Sequence, residues 1–220
     1  MNKKLISLIT IALYAIVVVS TFAQPQVGVK TDDWVKLNVI VSGAPSGSLL
    51  PTWMRVEFLT VEGPNATIRF TMHMADGTDQ NQTMNINIMT GSGGSASFQG
   101  LVIPANVTTG QSVYITGYGS VTITGESTRT YCGASRTVVY TSFSSVGYQI
   151  TYYWDKLTGV ILEASQSMGD MVMSVKTTET NMWEGQPFDP IFYVLIIAVI
   201  AIVIIVLFFT IRSRKKPTEA

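Results

Sequence analysis

The chain has 220 residues, a formal net charge of zero and one cysteine. Between Pro25 and Pro190, eight Lys and Arg stand against thirteen Asp and Glu, so this region is net negative by about five charges. An acidic surface argues against nucleic-acid binding and against docking on anionic lipid, and we expect no nucleic-acid partner.

The N-terminus has the pattern of a secretory signal. Asn2-Lys3-Lys4 is a short positive region, and residues 5–19 form an apolar stretch of suitable length. Thr21-Phe22-Ala23 ends in a small residue, which predicts a signal peptide over residues 1–23. The alternative is an uncleaved signal anchor, although the stretch is short for a full span. Both interpretations place the middle of the chain outside the cytoplasm.

A second apolar stretch, residues 191–211, contains no charge, Gly or Pro. A helix needs about 20 apolar residues to cross a bilayer, so we predict a transmembrane helix that contacts the lipid bilayer here. The basic run at 212–216 predicts a cytoplasmic tail over 212–220. We therefore predict a single-pass protein of the cell membrane, with a β domain at 24–182 and a connector at 183–190 outside the cytoplasm.

Apolar side chains between the two stretches recur at every second residue, which predicts β-strands. Turn signals such as Asp76-Gly77 and residues 155–159 separate them. The predicted strands are 35–41, 54–58, 68–74, 84–88, 113–115, 121–123, 138–143, 148–154, 160–162 and 171–175. The predicted fold is an all-β ectodomain, an antiparallel meander of about ten strands closed as a sandwich or a curled half-barrel. The signal helix and one C-terminal transmembrane α-helix complete it.

Four side chains alternate on one face of a single predicted strand: Tyr148, Ile150, Tyr152 and Trp154. They either fill the core of a sandwich or line a face for an apolar ligand. Cys132 has no partner for an internal disulfide, so stability must come from the core. We interpret Cys132 as a half-buried strand residue, with pairing between chains as the alternative.

The sequence offers no convincing catalytic or metal site. His73 is the one histidine, it has the polar parity of its strand, and no Cys or His pair with zinc spacing occurs. The loop at 76–81 contains oxygen ligands but lacks the order of a calcium loop, so a solvated hairpin tip is preferred to a calcium site. Gly91 to Ser95 reads as a hairpin loop and not as a phosphate loop. We therefore predict no enzyme activity, no catalytic residues, no metal and no cofactor.

Three acceptor sequons predict N-glycosylation, at Asn65, Asn81 and Asn106. Each lies beside a predicted turn, where a glycan has room. The alternative is that the host cell leaves these sequons unmodified. Glycans at strand ends would keep sheet edges from pairing with neighbouring chains.

Three stretches carry a resemblance: Gly28 to Lys36, Ile103 to Asn106, and Tyr152 to Val160. With the signal and the terminal span, they resemble a group of uncharacterised single-pass archaeal cell-surface proteins with a β-rich ectodomain. The run from Tyr152 to Gly159 is also similar to one hairpin of the half-barrel lipid carriers of bacterial envelopes. The resemblance implies a surface location and a curved sheet, and it implies no site residues.

These observations favour a membrane-anchored, N-glycosylated cell-surface interaction or structural module without catalytic activity. Its partner would be a surface or envelope protein that the sequence does not identify. The alternative is a membrane-tethered carrier or binder of lipid or another apolar ligand, held in a curled sheet. An apolar cavity of several hundred Å³ would favour the carrier, and a filled core would favour the interaction module.

Overall fold

The computed structural model describes residues 24–45, 47–93, 100–145 and 147–184, together with Ile197, Val199, Ile200 and Ile204. The chain divides into two compact units, Met1–Trp183 and Glu184–Ala220. The predicted signal peptide, nearly all of the predicted transmembrane helix and the predicted tail lie outside the described residues. The four isolated residues of the second unit are helical and exposed. Within the described part of the chain, no helix has the length and apolarity to cross a membrane.

Eleven β-strands occur among the described residues of the first unit. They are β1 Trp34–Ser42, β2 Pro51–Glu62, β3 Asn65–Met74, β4 Asp79–Asn87, β5 Ser112–Ile115, β6 Gly119–Thr122, β7 Gly125–Tyr131, β8 Ala134–Ser145, β9 Tyr148–Asp155, β10 Ile161–Met168 and β11 Met171–Thr180. Nine of them form one sheet in the order β4-β3-β2-β1-β11-β10-β9-β8-β7, and β5 and β6 form a separate hairpin. Every pairing is antiparallel, which confirms the predicted all-β antiparallel domain.

The large sheet consists of two meanders, β1–β4 and β7–β11, which join where β1 pairs with β11. The described part of the predicted hairpin loop, Gly91 to Gly93, does fold back on the end of β4: Ile86 forms an antiparallel bridge with Gly93, and the amide of Asn87 donates a hydrogen bond to the carbonyl of Ser92 at 2.8 Å. One local prediction is wrong. Cys132 lies in the turn between β7 and β8 with a φ of 50°, and not in a strand.

The period-two pattern has the predicted structural consequence. On β1, Val35 and Leu37 are fully buried, whereas the alternating Asn38 and Ile40 are exposed. Val56 on β2, directly opposite Val35, is fully buried as well. We call the face that carries these buried side chains the inner face of the sheet, and the opposite face the outer face. Burial of this continuous apolar face supplies most of the driving force for folding.

A cross-over segment, residues 100–123, connects the two meanders and packs on the inner face. Its Val102, Ile103 and Ile115 join the same buried cluster as the sheet residues. The backbone of Ile103 donates a hydrogen bond to the carbonyl of Gly159, 2.9 Å away, and that of Asn106 donates to the carbonyl of Lys156 at 2.7 Å. The cross-over segment is therefore fastened to the loop between β9 and β10.

Trp154 on β9 is the largest fully buried side chain of this interface. Its indole nitrogen donates a hydrogen bond to the carbonyl oxygen of Gly100 at 2.6 Å. Tyr152 stacks on Trp154 with ring centroids 5.1 Å apart. One residue thus combines a large buried apolar area with a buried hydrogen bond to the start of the described cross-over segment.

We predict that Trp154→Phe lowers the free energy of unfolding by about 2–6 kcal/mol. The substitution removes indole volume and leaves the carbonyl of Gly100 buried without its donor, each costing roughly 1–3 kcal/mol. Urea unfolding followed by circular dichroism measures the change. The matched control is Trp53→Phe on the outer face, where the ring is half-buried, and there the loss should stay below about 1 kcal/mol.

A glycine pair tests the close packing at Gly159. Both Gly159 and Gly147 have a positive φ, of 75° and 83°. A Cβ on Gly159 would overlap the carbonyl oxygen of Ile103, whereas a Cβ on Gly147 meets no atom within 4 Å. Gly147→Ala should therefore cost about 1–2 kcal/mol from backbone strain alone. Gly159→Ala should cost at least about 2 kcal/mol more than Gly147→Ala, because its Cβ would also collide with the backbone of Ile103. Thermal denaturation measures both losses. Equal losses would show that the backbones of Gly159 and Ile103 are not in contact.

Candidate functional site

The outer face of β1–β3 carries charged and aromatic side chains that contact one another through ion pairs, ring stacking and cation–π interactions. Trp53 lies between His73, with ring centroids 5.0 Å apart, and the ammonium of Lys36, 5.2 Å from its ring. The guanidinium of Arg55 covers Trp34 at 4.2 Å and contacts Glu57 at 2.9 Å. Because both indole rings are covered by cations or by His73, these aromatic faces are not free to stack on a ligand.

The outer face of β7–β11 is satisfied in the same way. Asp155 is 1% exposed and accepts two hydrogen bonds of 2.8 Å from Arg136. It also accepts hydrogen bonds from the amide and the hydroxyl of Thr158, both at 2.8 Å. Arg129 covers the ring of Tyr153 at 3.8 Å and contacts Glu163 at 3.2 Å. These paired groups hold strands together and leave little for a ligand.

The four predicted apolar-face residues lie side by side on the inner face of β9. Ile150, Tyr152 and Trp154 are buried, at 2%, 7% and 0% exposure, beneath or beside the cross-over segment. Tyr148, at the start of β9, is half-buried. The three buried side chains belong to the core, and only Tyr148 presents a surface to solvent. Ligand binding by this set stays a prediction.

Burial of the inner face decreases along the strands toward one end of the sheet. On β1, Val35 and Leu37 are fully buried, Val39 is 8% exposed and Val41 is half-buried. The same trend runs along β2 from Phe58 to Met54 and along β11 from Val175 to Met173. On β3 burial falls from Ile68 to Met72, although Met74 at the end of the strand is 7% exposed. We call this the open end. It carries the described loop residues 43–45 and 47–50 and the loops at 75–78 and 169–170.

The half-buried side chains at the open end form an apolar surface that we call the rim. It consists of Val41, Met54, Met72, Phe143, Tyr148 and Met173, all packed against the core on one side. None of them is charged. Methionine and aromatic side chains are enriched where proteins bind apolar partners, because they combine contact area with adaptability.

The rim was not identified from the sequence. Its members come from six strands and both meanders, so no local pattern joins them. The detectable signal was the repeated use of Met at inner-face positions, as in Met54, Met72, Met171 and Met173. In a strand, Val or Ile would normally occupy such positions.

Two cavities bear on the choice between a carrier and an interaction module. A small one of about 30 Å³, next to Ile68, Met84 and Leu101, has room for a single water molecule. A groove of about 440 Å³ borders Phe143 and Tyr118, but hydroxyl side chains such as Thr122, Thr141 and Ser142 line most of it. Neither is an apolar cavity of several hundred Å³.

The three sequons occupy different environments. Asn65 and Asn81 are exposed on β3 and β4, and their side-chain oxygens accept hydrogen bonds from Asn87 at 3.0 Å and Thr71 at 2.6 Å. Asn106 is half-buried with a φ of 60°. Asn81 therefore lies on an edge strand, where a glycan would obstruct pairing with another sheet. Occupancy of all three stays a prediction.

The side chains considered for metal binding have other partners. His73 contacts the carboxylate of Asp79 at 2.6 Å, and Asp76 accepts hydrogen bonds from the hydroxyl and amide of Thr78. These bonds from Thr78 lower the pKa of Asp76. Among the described residues, no group of three or more His, Cys, Asp or Glu could hold a metal ion. Burial, with a smaller effect of the Glu179 charge, raises the pKa of the Cys132 thiol, which lowers its reactivity.

Comparison with protein-family models, with curated proteins and with solved structures found no match. Function must therefore be inferred from the geometry itself.

Two buried tyrosines predict a loss of stability at alkaline pH. Burial raises the pKa of Tyr152, and burial together with the neighbouring Glu163 carboxylate raises that of Tyr131. A raised pKa means that the folded state keeps protons that the unfolded state releases above about pH 10. The free energy of unfolding should therefore be unaffected by these groups below pH 10 and fall above it, by about 1.4 kcal/mol per pH unit per tyrosine.

Urea unfolding between pH 9 and 11.5 tests this expectation. Tyr152→Phe should remove about half of the tyrosine-dependent slope, since one of the two contributing phenols is gone. Tyr114→Phe is the matched control, because Tyr114 is 49% exposed. A slope that Tyr152→Phe leaves unchanged would mean that the phenol ionises as easily in the folded as in the unfolded protein.

Proposed function

We propose that the protein is a membrane-anchored interaction module of the cell surface, without catalytic activity, that binds an apolar segment of a partner protein at its rim. The main observation that supports this proposal is the asymmetry of the inner face. The cross-over segment covers one end of it, and the rim at the other end leaves methionine and aromatic side chains half-exposed.

The proposed location rests on the sequence at both termini. The signal over 1–23 would export the domain, the span over 191–211 would hold it in the bilayer, and the basic tail over 212–220 would remain in the cytoplasm. Glycans on Asn65, Asn81 and Asn106 would be compatible with this exported position.

The outer face is the less suitable binding surface. Its cations are engaged with acids or aromatic rings, as in Lys36 with Glu179 at 2.8 Å and Arg69 with Glu57 at 2.7 Å. A partner would have to replace these contacts, whereas contact with the rim only removes apolar surface from water. Removing apolar surface from water is favourable by roughly 25 cal/mol per Å².

A carrier of lipid or another apolar ligand is the second candidate. The rim itself favours it, because an acyl chain is as apolar as a protein segment. The small volume of the cavity beside Ile68 and the hydroxyl lining of the larger groove argue against a ligand enclosed between the described residues. We therefore prefer a protein partner that covers the rim from outside.

We predict that a photo-crosslinking phenylalanine analogue at Phe143 captures one defined protein in living cells that express the full-length chain. Val41→Glu, which places a charge in the rim, should reduce the yield of that product at least tenfold, because the charge must be desolvated on binding. Ile40→Glu is the matched control, since Ile40 is the neighbouring residue, lies on the outer face and is 61% exposed. Its yield should stay within twofold of the parent.

Native mass spectrometry of the purified full-length protein separates the two candidates. A co-purifying lipid that is lost in Val41→Glu and kept in Ile40→Glu would establish the carrier and contradict the interaction module. Equal crosslinking in both variants would show that the rim does not bind the partner. Thermal midpoints of both variants control for misfolding.

A further inference from the structure

Three methionines lie within six residues around the turn between β10 and β11: Met168, Met171 and Met173. The turn itself is Gly169-Asp170, and Gly169 has a φ of 56° that suits a tight hairpin. Met173 also belongs to the rim, but the inference below uses the chemistry of the three thioethers and does not rest on the proposed partner binding.

The strand register brings the three side chains to one face. Met168 pairs directly with Met171, and Met173 pairs with Gln166 two residues further along. Because side chains two residues apart on a strand share a face, and paired residues share a face as well, all three point to the inner side. Directly opposite residues have Cβ atoms about 5 Å apart, and diagonal neighbours about 7–8 Å.

The three thioethers can reach one another and solvent. Methionine is unbranched and has three rotatable bonds, so sulfur atoms from such positions can converge on one point. Met168 is 44% exposed, and Met171 and Met173 are half-buried. An ion can therefore approach from the open end without unfolding the hairpin.

We propose that Met168, Met171 and Met173 bind a soft monovalent cation, Cu⁺ or Ag⁺, through their sulfur atoms. Thioethers are soft ligands that select Cu⁺, whereas Ca²⁺ and Mg²⁺ require oxygen ligands. Three neutral sulfurs leave the charge of the ion uncompensated, which favours a monovalent over a divalent cation.

A second methionine group provides a matched comparison inside the same sheet. Met54 pairs directly with Met72, and Met74 lies two residues beyond Met72, so the spacing resembles that of the proposed site. Met74, however, is 7% exposed and belongs to the buried residues. In this group one of the three methionines is therefore buried and the other two are half-buried, whereas in the hairpin group Met168 is exposed and none of the three is buried.

The test is a titration of the full-length protein in detergent micelles with Ag⁺, a redox-inert substitute for Cu⁺. The protein carries Cys132→Ser, since a free thiol would also bind the ion. Methionine methyl groups labelled with ¹³C are followed by NMR. The signals of Met168, Met171 and Met173 should shift together and saturate at one equivalent, with a dissociation constant of ~10 µM or tighter.

Two triple variants decide the outcome. Changing Met168, Met171 and Met173 to Leu should abolish the saturable shifts, and changing Met54, Met72 and Met74 to Leu should leave them intact. Met-to-Leu changes nearly conserve volume and cost below about 1.5 kcal/mol each, so both variants can fold, as thermal midpoints will verify. Competition with a chromophoric Cu⁺ chelator repeats the comparison with copper.

Three results would overturn the proposal. They are binding weaker than ~10 µM, shifts confined to the Met54 group, and binding that survives loss of the hairpin methionines. Failure of this site would leave the proposed partner binding untouched, because that test relies on Phe143, Val41 and Ile40. Failure of partner capture would likewise leave the metal titration valid.

Discussion

The contact between the cross-over segment and the loop after β9 determines what the rest of the domain can do. Trp154 donates its buried hydrogen bond to Gly100, and Gly159 lets the backbone of Ile103 approach to hydrogen-bond distance. The inner face of the nine-stranded sheet is apolar toward both ends of its strands. The cross-over segment, residues 100–123, is long enough to cover only part of that face. Fixing the segment at one end therefore leaves the other end half-exposed, and the rim is the consequence of that placement.

The two faces of the sheet have different roles. On the outer face, pairs such as Arg136 with Asp155 neutralise charge and keep the strands in register. On the inner face, apolar side chains make the core at the covered end and a binding surface at the open end. A β-bulge between Ile161 and Glu163 shifts the parity of β10 by one residue, so that Ile161 and Ala164, three residues apart, both lie on the inner face. Ile161 enters the main core, whereas Leu162 packs with Tyr131 and Val138 on the other side.

Much of the fold could be predicted from the sequence because apolar residues recur at every second position of most strands, as from Val35 to Val41 and from Tyr148 to Trp154. The missed elements lack that signal. β7 reads GESTRTY, whose apolar content is too low to mark a strand, and it is placed by pairing with β8. The sequence alternation shows which side chains face inward, but it does not show which of these the cross-over segment covers. That depends on contacts between residues far apart in the chain, so the rim could not be predicted. Met54 and Leu37 share a parity and a register, yet only Leu37 is covered.

Oxidation of methionines by dilute hydrogen peroxide, read by peptide mass spectrometry on the full-length protein, tests the open end most directly. Oxidation follows exposure of the sulfur. The account predicts rapid oxidation of Met168 and intermediate rates at Met72 and Met173. It predicts protection of Met74 and Met84, which are 7% and 9% exposed. Protection of the rim methionines to the level of Met74 would contradict the account, because it would mean that another part of the chain covers the end described as open.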